Sequence, residues 1–307
     1  MEILRFFESI RTPVLDTFFS LITHLGEETV FIVVGLLFFW CINKKHGYYI
    51  LSVGFIGTVA NQFLKLWFRI PRPWVKDPDF TIVESARAEA TGYSFPSGHT
   101  QSSVGMFCSI ARCNKNKIVR AVCIALCVLV PVSRLYLGVH TPLDVGVSVV
   151  IALVLCFGFY PFFKKADEKP FFMRLLFLGM LVLCVGYVLF TELYPFPQDI
   201  DINNYQSGLS NGYKMLGCVL GLILTFEIDT RYTKFNTKAV WWAQIIKLVA
   251  GFIPVILIKS LLKEPLLVLF NGHNVANAVR YFLITAFAGT LWPMTFRWFG
   301  KLGGCAK

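Results

Sequence analysis

Residues Val145–Phe163 read VGVSVVIALVLCFGFYPFF, and Phe171–Phe190 follow as a second apolar run carrying one charge, Arg174. Each approaches or reaches the roughly 20 residues that take a helix across a bilayer. The rest of the chain has the same character. It is 56% hydrophobic and 15% charged, whereas soluble domains carry about a quarter charged residues. Mean hydropathy is +0.62. The expected fold class is all-α, a polytopic transmembrane helical bundle.

Parsing outward from these runs gives nine expected spans, at about 27–42, 48–66, 98–111, 118–136, 142–163, 171–190, 213–228, 239–262 and 277–297. Charge tests this parsing. Lys44 and Lys45 lie between spans one and two, and Arg112, Lys115, Lys117 and Arg120 between three and four. Lys164, Lys165, Lys169 and Arg174 lie between five and six, and Arg231, Lys234 and Lys238 between seven and eight. Arg297, Lys301 and Lys307 follow the last span. Alternate connections are basic, as cytoplasmic loops are. The N-terminus is then outside and the C-terminus inside. The net charge of +11 reads as basic loops, and no nucleic-acid partner is expected.

Span three contains His99, Thr100, Gln101, Ser102 and Ser103. Without it the charge alternation breaks, so it is expected as a helix enclosed by other helices rather than by lipid. Residues 1–26 hold Phe7, Val14, Phe18 and Leu21 at about helical spacing, with several charges. They read as an interfacial amphipathic segment, split by Pro13 into two short helices. Two outer connections are expected as long loops, 67–96 and 191–213. Of the nine cysteines, Cys41, Cys123, Cys127, Cys156, Cys184 and Cys218 lie in apolar runs, and there is no CxxC pair. Neither a zinc site nor an obligatory disulfide is expected.

Three stretches carry chemistry. In Lys65–Pro73, Lys65, Arg69 and Arg72 cluster at the outer end of span two. Alone they could be snorkelling cations. Arginine also offers a planar fork to phosphate oxygens, and lysine a compact charge. In Pro96-Ser97-Gly98-His99, Ser97 suits an N-cap, Gly98 allows close backbone approach, and a helix start favours anions. The alternative is an ordinary capped helix. In Ser133–Asp144, His140 and Asp144 are four apart around a first helical turn opened by Pro142. A carboxylate beside an imidazole can fix its tautomer, although a merely structural His–Asp pair has the same spacing. All three stretches fall on the outer face. So many cations beside one helix start make sense if an anion joins them.

The series K-x6-R-P, P-S-G-H and S-R-x5-H-x3-D resembles the type 2 phosphatidic acid phosphatase superfamily, which includes glucose-6-phosphatases. The match is complete across about residues 60–145. The resemblance implies a phosphatase core in 27–165, after the interfacial segment 1–26, with additional C-terminal transmembrane helices in 166–307. It implies a hydrolase of phosphoric monoesters or pyrophosphates that needs no cofactor and no metal. Lys65, Arg72, Ser97, Gly98 and Arg134 would bind phosphate. His140, oriented by Asp144, would attack phosphorus, and His99 would protonate the leaving oxygen. No carboxylate cluster is expected beside these motifs. The expected substrate is a lipid phosphate or pyrophosphate held at the bilayer, such as phosphatidic acid, phosphatidylglycerol phosphate, a polyprenyl pyrophosphate or a sphingoid phosphate. A prokaryotic plasma membrane is the preferred location. A soluble ester such as a hexose phosphate stays open, because nine spans with an outer N-terminus are similar to the glucose-6-phosphatase layout. A transporter-like anion-binding protein is the third alternative. His24 and His46 read as structural or solvated.

Overall fold

Inside a bilayer the backbone must satisfy its own hydrogen bonds, so apolar runs of this length become helices. The computed structural model describes residues 1–166 and 168–302. Lys307, one of the expected inner-face cations, lies outside the described residues. In chain order the helices are α1 Glu2–Ser9, α2 Pro13–His24, α3 Glu28–Leu37, α4 Lys44–Phe68, α5 Pro73–Lys76, α6 Gly98–Cys113, α7 Lys117–Tyr136 and α8 Pro142–Lys165. They continue with α9 Phe171–Leu193, α10 Ile202–Ile228, α11 Trp241–Leu261, α12 Lys263–Leu269, α13 Val275–Ala286, α14 Trp292–Met294 and α15 Phe296–Lys301. No strand occurs among the described residues.

Six of these helices are long and apolar enough to cross a membrane: α4, α7, α8, α9, α10 and α11. A seventh span is possible if α2 and the stretch Glu28–Ile42, bent by 50° relative to each other, count as one. The expected nine exceed this number. The stretch at 98–111 is α6, which has only 16 residues and carries a polar first turn. The stretch at 277–297 is divided among α13, a π-helical turn at Phe287–Leu291, α14 and the start of α15. The expected outer loop 191–213 is also corrected. Helix α9 continues to Leu193 and α10 begins at Ile202, because Asp201 accepts from Asn204 N through Oδ1 at 2.9 Å and caps the polar first turn.

The chain forms two compact units. One comprises Met1–Val33, Ile50–Pro161 and Pro195–Gly208, and it holds every motif residue. Helix α6 is its centre. Thr100, Ser103, Val104, Met106 and Ser109 are fully buried or nearly so. Gly105 faces Val53 of α4, Cys127 of α7 donates to Val104 O, and Ser109 meets Cys156 of α8. The expectation of a helix enclosed by helices holds. By contrast α7 and α8 leave Val122, Val128, Val150, Val154 and Phe157 exposed, an apolar face suited to lipid.

The N-terminal segment is two short helices, as its periodicity predicts. Thr12 caps α2, accepting from Leu15 N, and Pro13 occupies its first turn. Leu4 is fully buried with Phe80, Ile82, Tyr136, Leu137 and Val139, and Phe7, Leu15 and Phe19 pack on this cluster. Arg11 donates to Thr81 O at 2.9 Å, and the Tyr136 hydroxyl donates to Asp16 at 2.7 Å. The segment therefore docks on the motif-bearing end of α7 and on the connection between α4 and α6.

The second unit takes residues 34–49, 162–194 and 209 onward. Within it α10 meets α13 through small residues. A Cβ at Gly217 would stand 2.1 Å from Ala278 O, and one at Gly221 would stand 2.7 Å from Thr285 Cβ. This small-residue spacing lets transmembrane backbones approach closely.

Candidate active site

Helix α4 ends at Phe68, and Arg69 follows with φ +50°. The turn sends Arg72 back into the protein, where it is buried. Its guanidinium donates to Gly92 O (3.0 Å), Thr91 O (2.7 Å) and Val139 O (2.9 Å). Nη1 also lies 2.9 Å from His140 Nε2. A guanidinium can only donate, so Nε2 is the acceptor and the ring proton sits on Nδ1. The Lys65 ammonium donates to Tyr93 O. Both cations are held by backbone carbonyls, which orient them without neutralising them.

His140 lies in the turn between α7 and α8, outside the helices, and is buried. Burial first, and then the charges of Arg72, Arg134 and Lys65, hold its imidazole well below the usual range. It is therefore neutral at neutral pH, with the Nε2 lone pair pointing at Arg72. Nδ1 stands 3.5 Å from Asp144 Oδ2, longer than a good hydrogen bond. Asp144 is itself fixed. Oδ2 accepts from Ser94 Oγ at 2.6 Å and from Thr141 N at 2.7 Å. Its carbonyl accepts from Ser97 N at 3.2 Å, which ties the start of α8 to the start of α6.

Ser97 caps α6, accepting from Thr100 N at 3.4 Å. A Cβ added at Gly98 would meet only Asn61 Oδ1, at an ordinary 3.9 Å. No protein neighbour demands glycine there, so any demand for it comes from a ligand approaching the helix start. Arg134 is fully buried near the end of α7 and donates to Thr23 Oγ1 at 2.6 Å, while its Nε has no protein partner.

His99 opens α6, with Nε2 3.4 Å from Glu89 Oε2. Burial first, and then the charges of Arg134, Arg72, His24 and Lys65, push its imidazole pKa down to about 2. The structure thus brings Lys65, Arg72, Ser97, Gly98, His99, Arg134, His140 and Asp144 to one end of the helices. Arg69 turns away and bonds Leu66 O of its own helix. The expectation of no carboxylate cluster is corrected. Glu27 and Glu89 gather with His24, their ligating atoms within 4.8 Å of one another, beside His99. Glu89, Thr23, Ser94 and Thr141 escape sequence reading because none sits in a motif. The carbonyls of Thr91, Gly92, Tyr93 and Val139 have no side-chain signature at all.

Residues 44–168 match the PAP2 superfamily, and residues 213–304 match the PAP2 superfamily phosphatase transmembrane extension. Undecaprenyl-diphosphatase BcrC of Bacillus subtilis (strain 168) is 31% identical over 158 residues, covering 50% of this chain and 78% of its own. Phosphatidylglycerophosphatase B of the same organism is 30% identical over 173 residues, covering 52% and 79%. A probable sphingosine-1-phosphate phosphatase of Dictyostelium discoideum is 30% identical over 159 residues, covering 48% of this chain and 38% of the relative. With its three motifs joined at one end of a helical bundle, the chain belongs to the PAP2 superfamily as a multi-pass membrane protein.

Proposed function

We propose that this chain is a membrane-embedded phosphatase that hydrolyses lipid phosphate monoesters or pyrophosphates through a phosphohistidine. The observation that carries the reading is the neutral His140, whose Nε2 lies against Arg72 with Asp144 behind Nδ1. Lys65, Arg72 and Arg134, with Ser97 and the Gly98 N–H, hold the phosphoryl oxygens and offset charge in the transition state. His140 Nε2 attacks phosphorus as the bond to the leaving oxygen breaks, and His99 gives that oxygen its proton. Water then attacks the phosphohistidine and passes a proton to His99. The N–P bond breaks, phosphate leaves, and both histidines return to their starting states.

The buried cations supply the charge stabilisation that a metal would otherwise give, so the reaction is metal-independent. Catalysis resides in residues 27–165, and 166–307 add C-terminal helices. The names of the relatives support a phosphorylated lipid as substrate, and they divide between a diphosphate and monophosphates. The glucose-6-phosphatase layout that favoured a soluble ester rested on nine spans, and six or seven helices qualify. The basic α6–α7 turn, with Arg112, Lys115 and Lys117, lies at the far end of those helices from the motifs. By the positive-inside rule the active site then faces outward and the C-terminus inward, in a prokaryotic plasma membrane.

The test is phosphate release by purified protein from a panel of lipid monophosphates, polyprenyl pyrophosphate and hexose phosphate, with and without EDTA. Turnover of lipid substrates that survives EDTA and is lost in His140→Ala is expected. Activity confined to hexose phosphate, or restored to EDTA-treated protein by magnesium, contradicts the reading.

A further inference from the structure

A general acid that must be protonated beside three cations needs an opposing charge. Lys65, Arg72 and Arg134 face His99 from α4, the α4–α6 connection and α7, and His140 faces it from the turn before α8. The carboxylate on its ring comes from outside every motif. Glu89 sits where the connection turns back, its backbone pinned because Ala90 N donates to Ala86 O at 3.1 Å and both alanines are buried in the N-terminal cluster. Oε2 is 3.4 Å from His99 Nε2, and Oε1 is 3.4 Å from His24 Nδ1. His24 in turn bonds Glu27. The turn carrying Glu27 is pressed onto His99 itself. A Cβ at Gly26 would lie 2.8 Å from His99 O and 2.9 Å from His99 Cβ.

We infer that Glu89 is the positioning residue of the acid, orienting His99 through Nε2 and favouring its protonated form, with His24 and Glu27 of the N-terminal segment holding Glu89. The inference rests on His99 being the proton donor. The held nitrogen leaves Nδ1 to meet the leaving oxygen. The arrangement parallels Asp144 behind His140, with one carboxylate behind each histidine. The two differ in exposure. The side chains of His140 and Asp144 are 2% exposed, whereas Glu89 is 33% and His24 51% exposed. The acid's partner is thus open to water, which suits a histidine that must later take a proton from water.

Leaving-group dependence separates this role from a structural one. Phosphoenzyme formation is measured by rapid quench with an alkyl phosphate, whose leaving oxygen needs a proton, and with 4-nitrophenyl phosphate, whose leaving group does not. Glu89→Gln is expected to slow the alkyl reaction about 10-fold, a fraction of the 10²–10⁴ that general acid catalysis supplies. The nitrophenyl reaction should change less than about 2-fold, Glu89→Asp should recover part of the loss, and His24→Ala should show a smaller effect of the same pattern. His99→Ala is run alongside. If His99→Ala discriminates between the esters and Glu89→Gln slows both equally or neither, the inference about Glu89 is overturned alone. If His99→Ala fails to discriminate, the assignment of His99 as acid falls and the role of Glu89 falls with it.

Discussion

Arg72 Nη1 and His140 Nε2 are 2.9 Å apart, and this contact fixes the state of the proposed nucleophile. On the proposed mechanism Arg72 occupies the lone pair that must attack, so that lone pair is freed only when the guanidinium turns to a phosphate oxygen. Substrate binding and nucleophile release are then one event. Because burial and the neighbouring cations lower the His140 pKa, its neutral form persists as pH falls. The acid limb of kcat/KM should lie below the ordinary imidazole value of about 6.5. Arg72→Gln removes the positive charge in contact with the His140 ring, so the limb should move upward while KM rises. A wild-type limb above about 6.5 would contradict the assignment.

Asp144 is held by Ser94 and Thr141 rather than by a close bond to His140. Its proposed role is to support the imidazolium charge that develops during attack. Asp144→Asn should lower kcat by about 10²–10⁴ with the protein still folded. Ser94→Ala should cost less, about 1–3 kcal/mol in transition-state stabilisation, since one hydrogen bond to a charged group is lost. Steady-state kinetics of the two variants checks the order.

Gly98 has no protein contact that alanine would violate. Gly98→Ala should leave Tm in detergent unchanged or slightly raised, because alanine is the better helix residue. Vanadate inhibition and substrate KM should weaken about 10-fold, equivalent to 1.4 kcal/mol. A fall in Tm with unchanged vanadate affinity would place the demand for glycine in packing instead.

Gly26 marks the opposite case, because its missing Cβ is what lets the α2–α3 turn touch His99. Gly26→Ala should destabilise the protein by about 1–3 kcal/mol, as overpacking does. Activity should fall even at temperatures where the variant stays folded. Thermal unfolding combined with turnover at low temperature tests this docking.

The three motifs were legible because their chemistry is local. Ser97 caps, Gly98 yields space, Pro142 starts a helix, and His140 and Asp144 share a turn. The enclosure of α6 was legible too, since its polar first turn suits neither lipid nor a loop. What stayed hidden depends on tertiary partners. Glu89 and Thr23 are ordinary residues until the fold sets them beside His99 and Arg134. The polar run Asn203–Gly208 reads as loop by composition, yet one Asp201 cap and the following apolar residues carry it into α10. The nine expected spans include 98–111 and 277–297, whereas six helices, or seven with the bent pair, are long and apolar enough to cross; α6 has 16 residues and the stretch after α13 is interrupted by a π-helical turn.

On the proposed mechanism His140 carries the phosphoryl group. Protein mixed with a lipid phosphate, quenched under alkaline conditions and analysed by peptide mass spectrometry should yield an acid-labile phosphohistidine at His140. The adduct should be absent from His140→Ala. It should accumulate in His99→Ala when 4-nitrophenyl phosphate, whose leaving group needs no proton, replaces the lipid phosphate, because that variant lacks the base for hydrolysis. Phosphate found on His99, or turnover by the wild-type protein with no covalent adduct at His140 on any timescale, would contradict it.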